Sequence, residues 1–450
     1  LSSFLPPCRR RVTRSAWRHY RNFERLHEQL GLPLRERYTD YAETAFYSTR
    51  GLEVLSPVLG DKEPWLPSPL GPLVYTSDRF TDLPLSDRLS AAPLTRALVE
   101  FDLDEEAYAE YDCVSFEALC LESGVSRGLY ERFLEPVLCA LAFAPPRELS
   151  AAAALAALYN YVLAHQGDFD VRWPTTKAGS GDVFGRWAEQ LRARGCEIRG
   201  GAPVARVLAD ADGRRVLGVE TASGETIDAD VVVLACGAAA LPRVVANSGG
   251  AVAGCRGLRR VGELRCSAVA AARLELSPGA APLPLPHVAN VFSGTRDVAG
   301  TLFDVGALQG GAPGRVVEVD TYNAAGLVDA SDEDVVAAAR RALAIAGGSG
   351  WERAELGDVR IARVRNAATR FSPGSHACTP SLKPEGAPRG LYVAGDLVKQ
   401  GPAEFDAHLG ARGLSQEKAL VTGLAAGRAA ATDFGQRADP QCAPLAVERD

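Results

Sequence analysis

No methionine occurs anywhere in the 450 residues, not even at position 1. A chain read from its own start codon would carry one, so the sequence is expected to be part of a longer protein. The ten cysteines include no C-x-x-C pair, which leaves neither a thiolate zinc site nor a dithiol redox motif signalled. Thiols scattered through so long a chain suit a reducing compartment, where most serve as small buried hydrophobes. There is no basic excess either. A net charge of −7 excludes the electrostatic footprint that a nucleic-acid partner requires. No stretch reaches the roughly 18 apolar residues of a membrane span. The nearest, SAAAALAALYNYVLA (150–164), is interrupted by Asn160 and reads as a buried helix, with a membrane-dipping surface as the alternative. G-x-S-x-G, Walker A and His–Glu zinc motifs are all missing, which disfavours hydrolysis and phosphoryl transfer. The six histidines, His19, His27, His165, His287, His376 and His408, show no metal-ligand spacing, so no metal site is expected.

What is present is globular in character. Hydrophobic residues make up 47% and charged residues 23%, and the length suffices for two or three domains with their own cores. The first residues, LSSFLPPCRRRVTR, are rich in arginine and free of acids, as a transit peptide is, and 1–16 are left unassigned.

Phe23, Leu26 and Leu30 recur at helical spacing and predict a helix from Arg18 to a stop at Gly31. A proline-rich loop region follows, then acidic and aromatic helical material from Phe101 to Phe143. Next comes the alanine-rich helix. In the stretch KAGSGDVFG, Lys177 to Gly185, the glycines read G-x-G-x-x-x-G, one residue too long for a dinucleotide-binding turn. No acidic residue closes a following strand at the roughly 20-residue distance that a ribose contact needs. The stretch therefore reads as a helix start. Val183, Phe184, Trp187 and Leu191 then share one helix face, which stops at Gly195.

Three short strand patterns come next, 202–209, 215–221 and 225–229, joined by Asp212-Gly213 and Ser223-Gly224 turns. DVVVLACGA (230–238) is a continuous apolar run, expected as a strand buried on both faces. Residues 264–371 alternate like strands around one helix from Asp332 to Ile345, with Ser331 and Asp334 in capping-box spacing.

The last block, 389–431, reads as strand, acidic turn, glycine-rich loop and small-residue helix. A short apolar strand (391–394) ends at Gly395-Asp396. Gly410 and Gly413 let backbone approach a flat ligand, and Ser415 is placed to cap the helix. The start of that helix offers unpaired N–H groups and partial positive charge. Glu404 and Asp406 read as solvated loop carboxylates, with acid–base work beside a ring as the alternative. His408 is of interest only because it precedes the loop.

LYVAGD…GARGLSQEKALVTGLAAGRAAA resembles the C-terminal FAD motif of the flavin amine oxidase and carotenoid desaturase superfamily. The form GLSQEKA looks most like the isorenieratene-synthase-type β-carotene desaturases. Upstream stretches such as YRNFERLHEQLGL, PWLPSPLG and RFSPGSHACTPSL are similar to the same branch, from about Trp17 to the end. The resemblance implies an α/β fold with a Rossmann-like, two-dinucleotide-binding FAD domain and an inserted α+β substrate domain. It places a helical substrate or cap region at 17–172, FAD-domain parts at 173–250 and 388–435, substrate strands at 251–387 and a tail at 436–450. It also implies a G-x-G-x-x-G unit before residue 17. LSSFLPPCRRRVTRSA contains no glycine, so the FAD domain is expected to be incomplete at its N-terminus.

By the same resemblance, Val204 is the position whose backbone meets the adenine. Ala394, Gly395 and Asp396 form the FAD-contacting turn, and Gly413, Leu414 and Ser415 the loop and helix start beside the isoalloxazine. The activity implied is FAD-dependent desaturation or isomerisation of a carotenoid-like polyene. Hydride goes to the flavin, whose negative N1–C2 oxygen edge a helix start would stabilise. A hydrophobic small-molecule substrate, peripheral membrane contact and a plastid or thylakoid location go with that reading. The alternative is a flavin-free, inactive relative that binds an isoprenoid or a protein partner, as the GDP-dissociation-inhibitor relatives do.

Overall fold

The alternating stretches after Leu264 pair into the main sheet. The computed structural model describes residues 15–67, 70–77, 79, 83–159, 166–167, 170–175, 180–283, 285, 289–291, 300–399 and 413–445. In it seven strands run in the order Leu356–Arg370, Arg265–Leu276, Val316–Thr321, Gly300–Asp304, Ala289–Val291, Thr44–Ser48 and Gly51–Ser56. Neighbours are antiparallel except Ala289–Val291 beside Thr44–Ser48, which is parallel. The last two strands come from the segment expected to be mostly helical. Five or six residues long, they carry too little local pattern to stand out, and their partners far along the chain hold them in place.

Register divides the faces of this sheet. Leu302, Val319 and Ala272 lie opposite one another and join Val317 and Leu274 in an apolar layer. The helix Asp332–Gly347 covers that layer with Val335, Ala339, Ala342 and Leu343, which recur at i+4, i+7 and i+8. Ser331 starts this helix as expected, its Oγ accepting the Asp334 N–H at 3.1 Å. Three acids in the first turn suit the positive end of the helix dipole. The opposite face carries Thr301, Phe303, Glu318, Asp320 and Arg273. A one-residue slip would exchange these two sets, so the pattern fixes the register.

A cluster of helices between Leu85 and Leu158 packs beyond one end of the sheet. The Ala151–Leu158 helix is buried on every side and touches Phe371 through the shared apolar cluster. Ser150 caps it, and Ser150 N–H also donates to the Phe371 carbonyl. Residues 160–165, including His165, lie outside the described residues.

The KAGSG stretch leads into the helix Ser180–Ala193, in keeping with a helix start, although residues 176–179 lie outside the described residues. The meander then forms as Val204–Ala209, Val216–Thr221 and Thr226–Asp228. Val232–Leu234 pairs in parallel with Leu391–Val393. The expectation of a strand buried on both faces fails at Val233, whose side chain is 41% exposed while Val232 and Leu234 are buried. Only one face of this short strand packs inward, against the Gly237–Ser248 helix and the start of the last helix.

Candidate functional site

The strand Leu391–Val393 is buried along its length, and Ala394 extends it by donating its N–H to Leu234 O at 3.0 Å. At Gly395 the chain turns with φ +124°, a conformation that a side chain strains. The turn is clipped to the last helix, Gln416–Asp433. Gly395 N–H donates to Thr422 Oγ1 at 2.9 Å, and that hydroxyl lies within 3.2 Å of the Gly395 carbonyl. Alanines make the close approach feasible, since Ala426 and Ala430 meet Tyr392 and Ala394 without long side chains between them. Asp396 follows at the carboxyl end of the strand, half-buried, and Leu397 and Val398 anchor the turn in the core.

Gly413 has φ +69° and is buried, while Leu414 leans on the helical apolar cluster. Ser415 has extended backbone and caps the helix, its Oγ accepting the Lys418 N–H at 2.9 Å. Six of the sequence-derived site residues thus gather at one place: Ala394, Gly395 and Asp396 on the turn, and Gly413, Leu414 and Ser415 at the helix start. Val204 is not among them. It opens the first strand of the meander, which is fastened to the last turn of the Gly237–Ser248 helix by Val207 N–H to Ser248 Oγ and Asn247 Nδ2 to Ala205 O. Gly410, Glu404, Asp406 and His408 lie outside the described residues.

Three residues of the last helix were not singled out from the sequence. Glu417, Lys418 and Thr422 are all fully buried. Their signal was slight: polar side chains in the first two turns of a helix rich in small and aliphatic residues, which also carries Gln416, Arg428, Thr432 and Asp433. Lys418 Nζ has no hydrogen-bond partner among the described residues and sits 5.1 Å from the centre of the Phe371 ring. Burial brings its amine down to about 7, and the negative charge of Asp396 only partly opposes this. Cys266, at the start of its strand, also feels Asp396; burial and that charge push its thiol up.

A second polar group braces the neighbouring loop. His376 Nε2 lies 2.6 Å from Glu105 Oε1, and Lys399 Nζ lies 3.3 Å from the same oxygen. Burial pushes the Glu105 carboxyl up, but His376 and Lys399 outweigh it and the net direction is down. His376 N–H donates to Asp112 Oδ2 at 2.9 Å. These contacts tie the 374–379 loop and the residue after the Asp396 turn to the helical cluster.

Arg370 links the turn region to the polar face of the large sheet, donating to Ser267 Oγ and Asn323 Oδ1. Beyond Asn323, Tyr322 OH lies 2.8 Å from Thr301 Oγ1, with Phe143 stacked on its ring at 4.6 Å. Asp320 is fully buried beside them, and its Oδ1 has no hydrogen-bond partner among the described residues. Burial, helped by the charge of Glu318, pushes this carboxyl well up, while Arg273 is engaged with Glu318. No group of metal-ligating residues occurs among the described residues.

A strand end, a glycine turn, an acid and a capped helix start facing one another form a cradle for a flat, negatively charged group. The orphaned Lys418 amine beside Asp396 fits the same charge. The sequence model of the flavin-containing amine oxidoreductase family matches residues 10–402. No curated protein matches the chain by sequence. Among solved structures it is similar to cyclohexylamine oxidase from Brevibacterium oxydans, at 15% identity and a TM-score of 0.61, covering 93% of this chain and 87% of that one. Putrescine oxidase matches at 15% identity and a TM-score of 0.62, covering 94% and 87%. UDP-galactopyranose mutase matches at 12% and 0.56, covering 95% and 85%. At such identities these likenesses show the fold: an α/β, FAD-binding architecture. The chain belongs to the flavin-containing amine oxidoreductase family, and its cofactor is FAD.

Proposed function

We propose that this member of the flavin-containing amine oxidoreductase family oxidises an extended apolar substrate of the carotenoid kind, drawn from a membrane surface. When bound, FAD supplies the hydride-accepting ring. The chain's own residues hold and bias it. Ala394 and Gly395 bring backbone close, and Asp396 accepts hydrogen bonds from cofactor hydroxyls. Gly413, Leu414 and Ser415 present the helix start, whose N–H groups favour negative charge. Val204 meets the adenine through its backbone. A polyene cation spreads its own charge, so no strong base is required of the protein.

The observation that carries the substrate reading is a concentration of exposed apolar side chains. Leu85, Leu89, Val99, Leu103 and Leu121 are 61 to 74% exposed, and no other described large hydrophobic residue exceeds that range's lower end. All five lie in the helical segment between Leu85 and Glu122. Single exposed leucines need no explanation, whereas a concentration of them marks a contact surface for lipid or protein. Among the described residues no helix is long and apolar enough to cross a membrane, so contact would be peripheral. The resemblance of the motif run to plastid desaturases supports a thylakoid surface.

One observation favours a second reading. A polyene gains nothing from the buried Asp320 carboxyl, whose Oδ1 has no hydrogen-bond partner among the described residues, whereas a cationic amine would pair with it and favour its ionised form. Two of the similar structures are amine oxidases by name. Anaerobic mixing of the FAD-loaded protein with β-carotene in liposomes and, separately, with a diamine distinguishes the two. Bleaching of the flavin by the carotenoid alone supports the proposal. Bleaching by the diamine alone, abolished by Asp320→Asn, replaces it with the amine reading.

A further inference from the structure

The Lys418 amine has no evident structural reason to be where it is. It is fully buried at the third position of the last helix, with no hydrogen-bond partner among the described residues and the Phe371 ring 5.1 Å away. Leaving such a group unpartnered costs a fold several kcal/mol when it is charged. A methionine would fill the same volume without that cost. The helix start already provides partial positive charge, so a second cation beside it is not needed to cap the helix.

Charged and titratable groups surround the amine unevenly. Asp396 faces it from the turn after the Leu391–Val393 strand. On its own helix, Glu417 points away and is fully engaged with Asn22 and Phe23. From the large sheet come Phe371 and, next to it, Arg370, which is paired with Glu148. Cys266 lies nearer Asp396. Phe371 also lines a cavity of about 10 Å³ together with Tyr108, Asp112, Ser375, His376 and Thr379. That is room for about one water, and His376 connects it to the half-exposed Glu105. Among the described residues the amine therefore has one opposing charge, Asp396, and no hydrogen-bond partner.

We propose that Lys418 is a positioning residue for charge, taking up one proton when the bound cofactor is reduced. The inference rests on the flavin site proposed above. A hydride passed from substrate to bound FAD would carry its electron pair and its hydrogen together, leaving one added negative charge. The nitrogen lone pair of Lys418 binds one proton from solvent water, forming a new N–H bond and offsetting the negative charge that has arrived. Coupling of this kind is reciprocal: reduction favours the protonated amine, and the protonated amine favours reduction. The lowered proton affinity of the buried amine leaves it able to respond near neutral pH.

The test is the midpoint potential of the FAD-loaded protein between pH 6 and pH 9, for the wild type, Lys418→Met and Lys418→Gln. Both variants remove the titrating group, one apolar and one hydrogen-bonding, so a folding defect in either leaves the other. The inference expects the wild-type potential to fall with pH more steeply than either variant's. The excess slope should approach a tenfold change in the reduction equilibrium per pH unit, about 30 mV for a two-electron couple. FAD affinity should change less than about tenfold in the variants. Identical slopes with FAD bound to all three proteins overturn the role of Lys418 and leave the flavin site standing. Failure of the wild type itself to bind FAD overturns that site, and this inference with it.

Discussion

Glu417 on the last helix caps Asn22 on the first, across 395 positions of sequence. One carboxylate oxygen accepts the Asn22 backbone N–H at 2.8 Å and its Nδ2 amide at 2.7 Å. The other accepts the Phe23 N–H at 2.9 Å. These are the second and third residues of the helix Arg21–Gln29, whose N-cap, Tyr20, gives no side-chain capping bond to the helix. Asn22 passes the connection on, accepting the Leu445 N–H at 2.7 Å. The helix that Ser415 caps is thus held in place by the first helix.

Glu417→Ala is expected to destabilise the protein by about 2–4 kcal/mol, because it strands buried N–H donors as well as removing their bonds. Glu417→Gln should fall between, since an amide keeps only one acceptor oxygen. Urea unfolding followed by circular dichroism reads both. A loss below about 0.5 kcal/mol for the alanine variant would show that water replaces the carboxylate.

Asp396→Asn should weaken FAD binding by about ten- to a hundredfold, as expected for hydrogen bonds to a charged acceptor. Ser415→Ala should cost about 1 kcal/mol of stability through the lost cap. Titration of the apoprotein with FAD and thermal melts measure the two effects. Equal FAD affinity in Asp396→Asn and wild type would remove the turn from the cofactor site.

The Lys418 amine should add stability to the apoprotein, measured against Lys418→Met, as pH rises from about 7 toward 10. Burial lowers the Lys418 amine from its ordinary 10.5 to about 7. Between those values the unfolded chain holds a proton that the folded chain has shed, so raising pH favours the fold, by at most about 1.4 kcal/mol per unit. Lys418→Met should therefore be the more stable protein at pH 7, with its advantage shrinking toward pH 10. Parallel stability curves for the two proteins would contradict the buried neutral amine.

Replacing Leu103 and Leu121 together by serine should reduce liposome binding by about tenfold per leucine, if each side chain inserts. Cosedimentation with neutral phospholipid vesicles measures this. Unchanged binding, or none in the wild type, would count against a membrane-facing helical segment.

Long-period features of this chain were legible in its sequence. The Asp332–Gly347 helix, the meander and the capped last helix each carry their own signal in spacing and turn residues. So did the Ala394–Asp396 turn, because a glycine with positive φ at a strand end leaves a mark. The strands Thr44–Ser48 and Gly51–Ser56 left little, since partners distant in sequence hold them in the sheet. Thr422, Lys418 and Glu417 act across the helix start, and no sequence spacing reports a contact with residue 395 or residue 22. The exposure of Val233 was hidden for the same reason: an apolar run does not say which of its faces is covered.

The most direct test of the account is to incubate the purified chain with FAD, remove free cofactor by gel filtration, and record the visible spectrum of the protein peak. The account predicts a flavin band at close to one FAD per chain, bleached when β-carotene in liposomes is added without oxygen. A folded, monodisperse protein that elutes colourless would contradict it, and would favour a flavin-free relative that binds its isoprenoid or protein partner without chemistry.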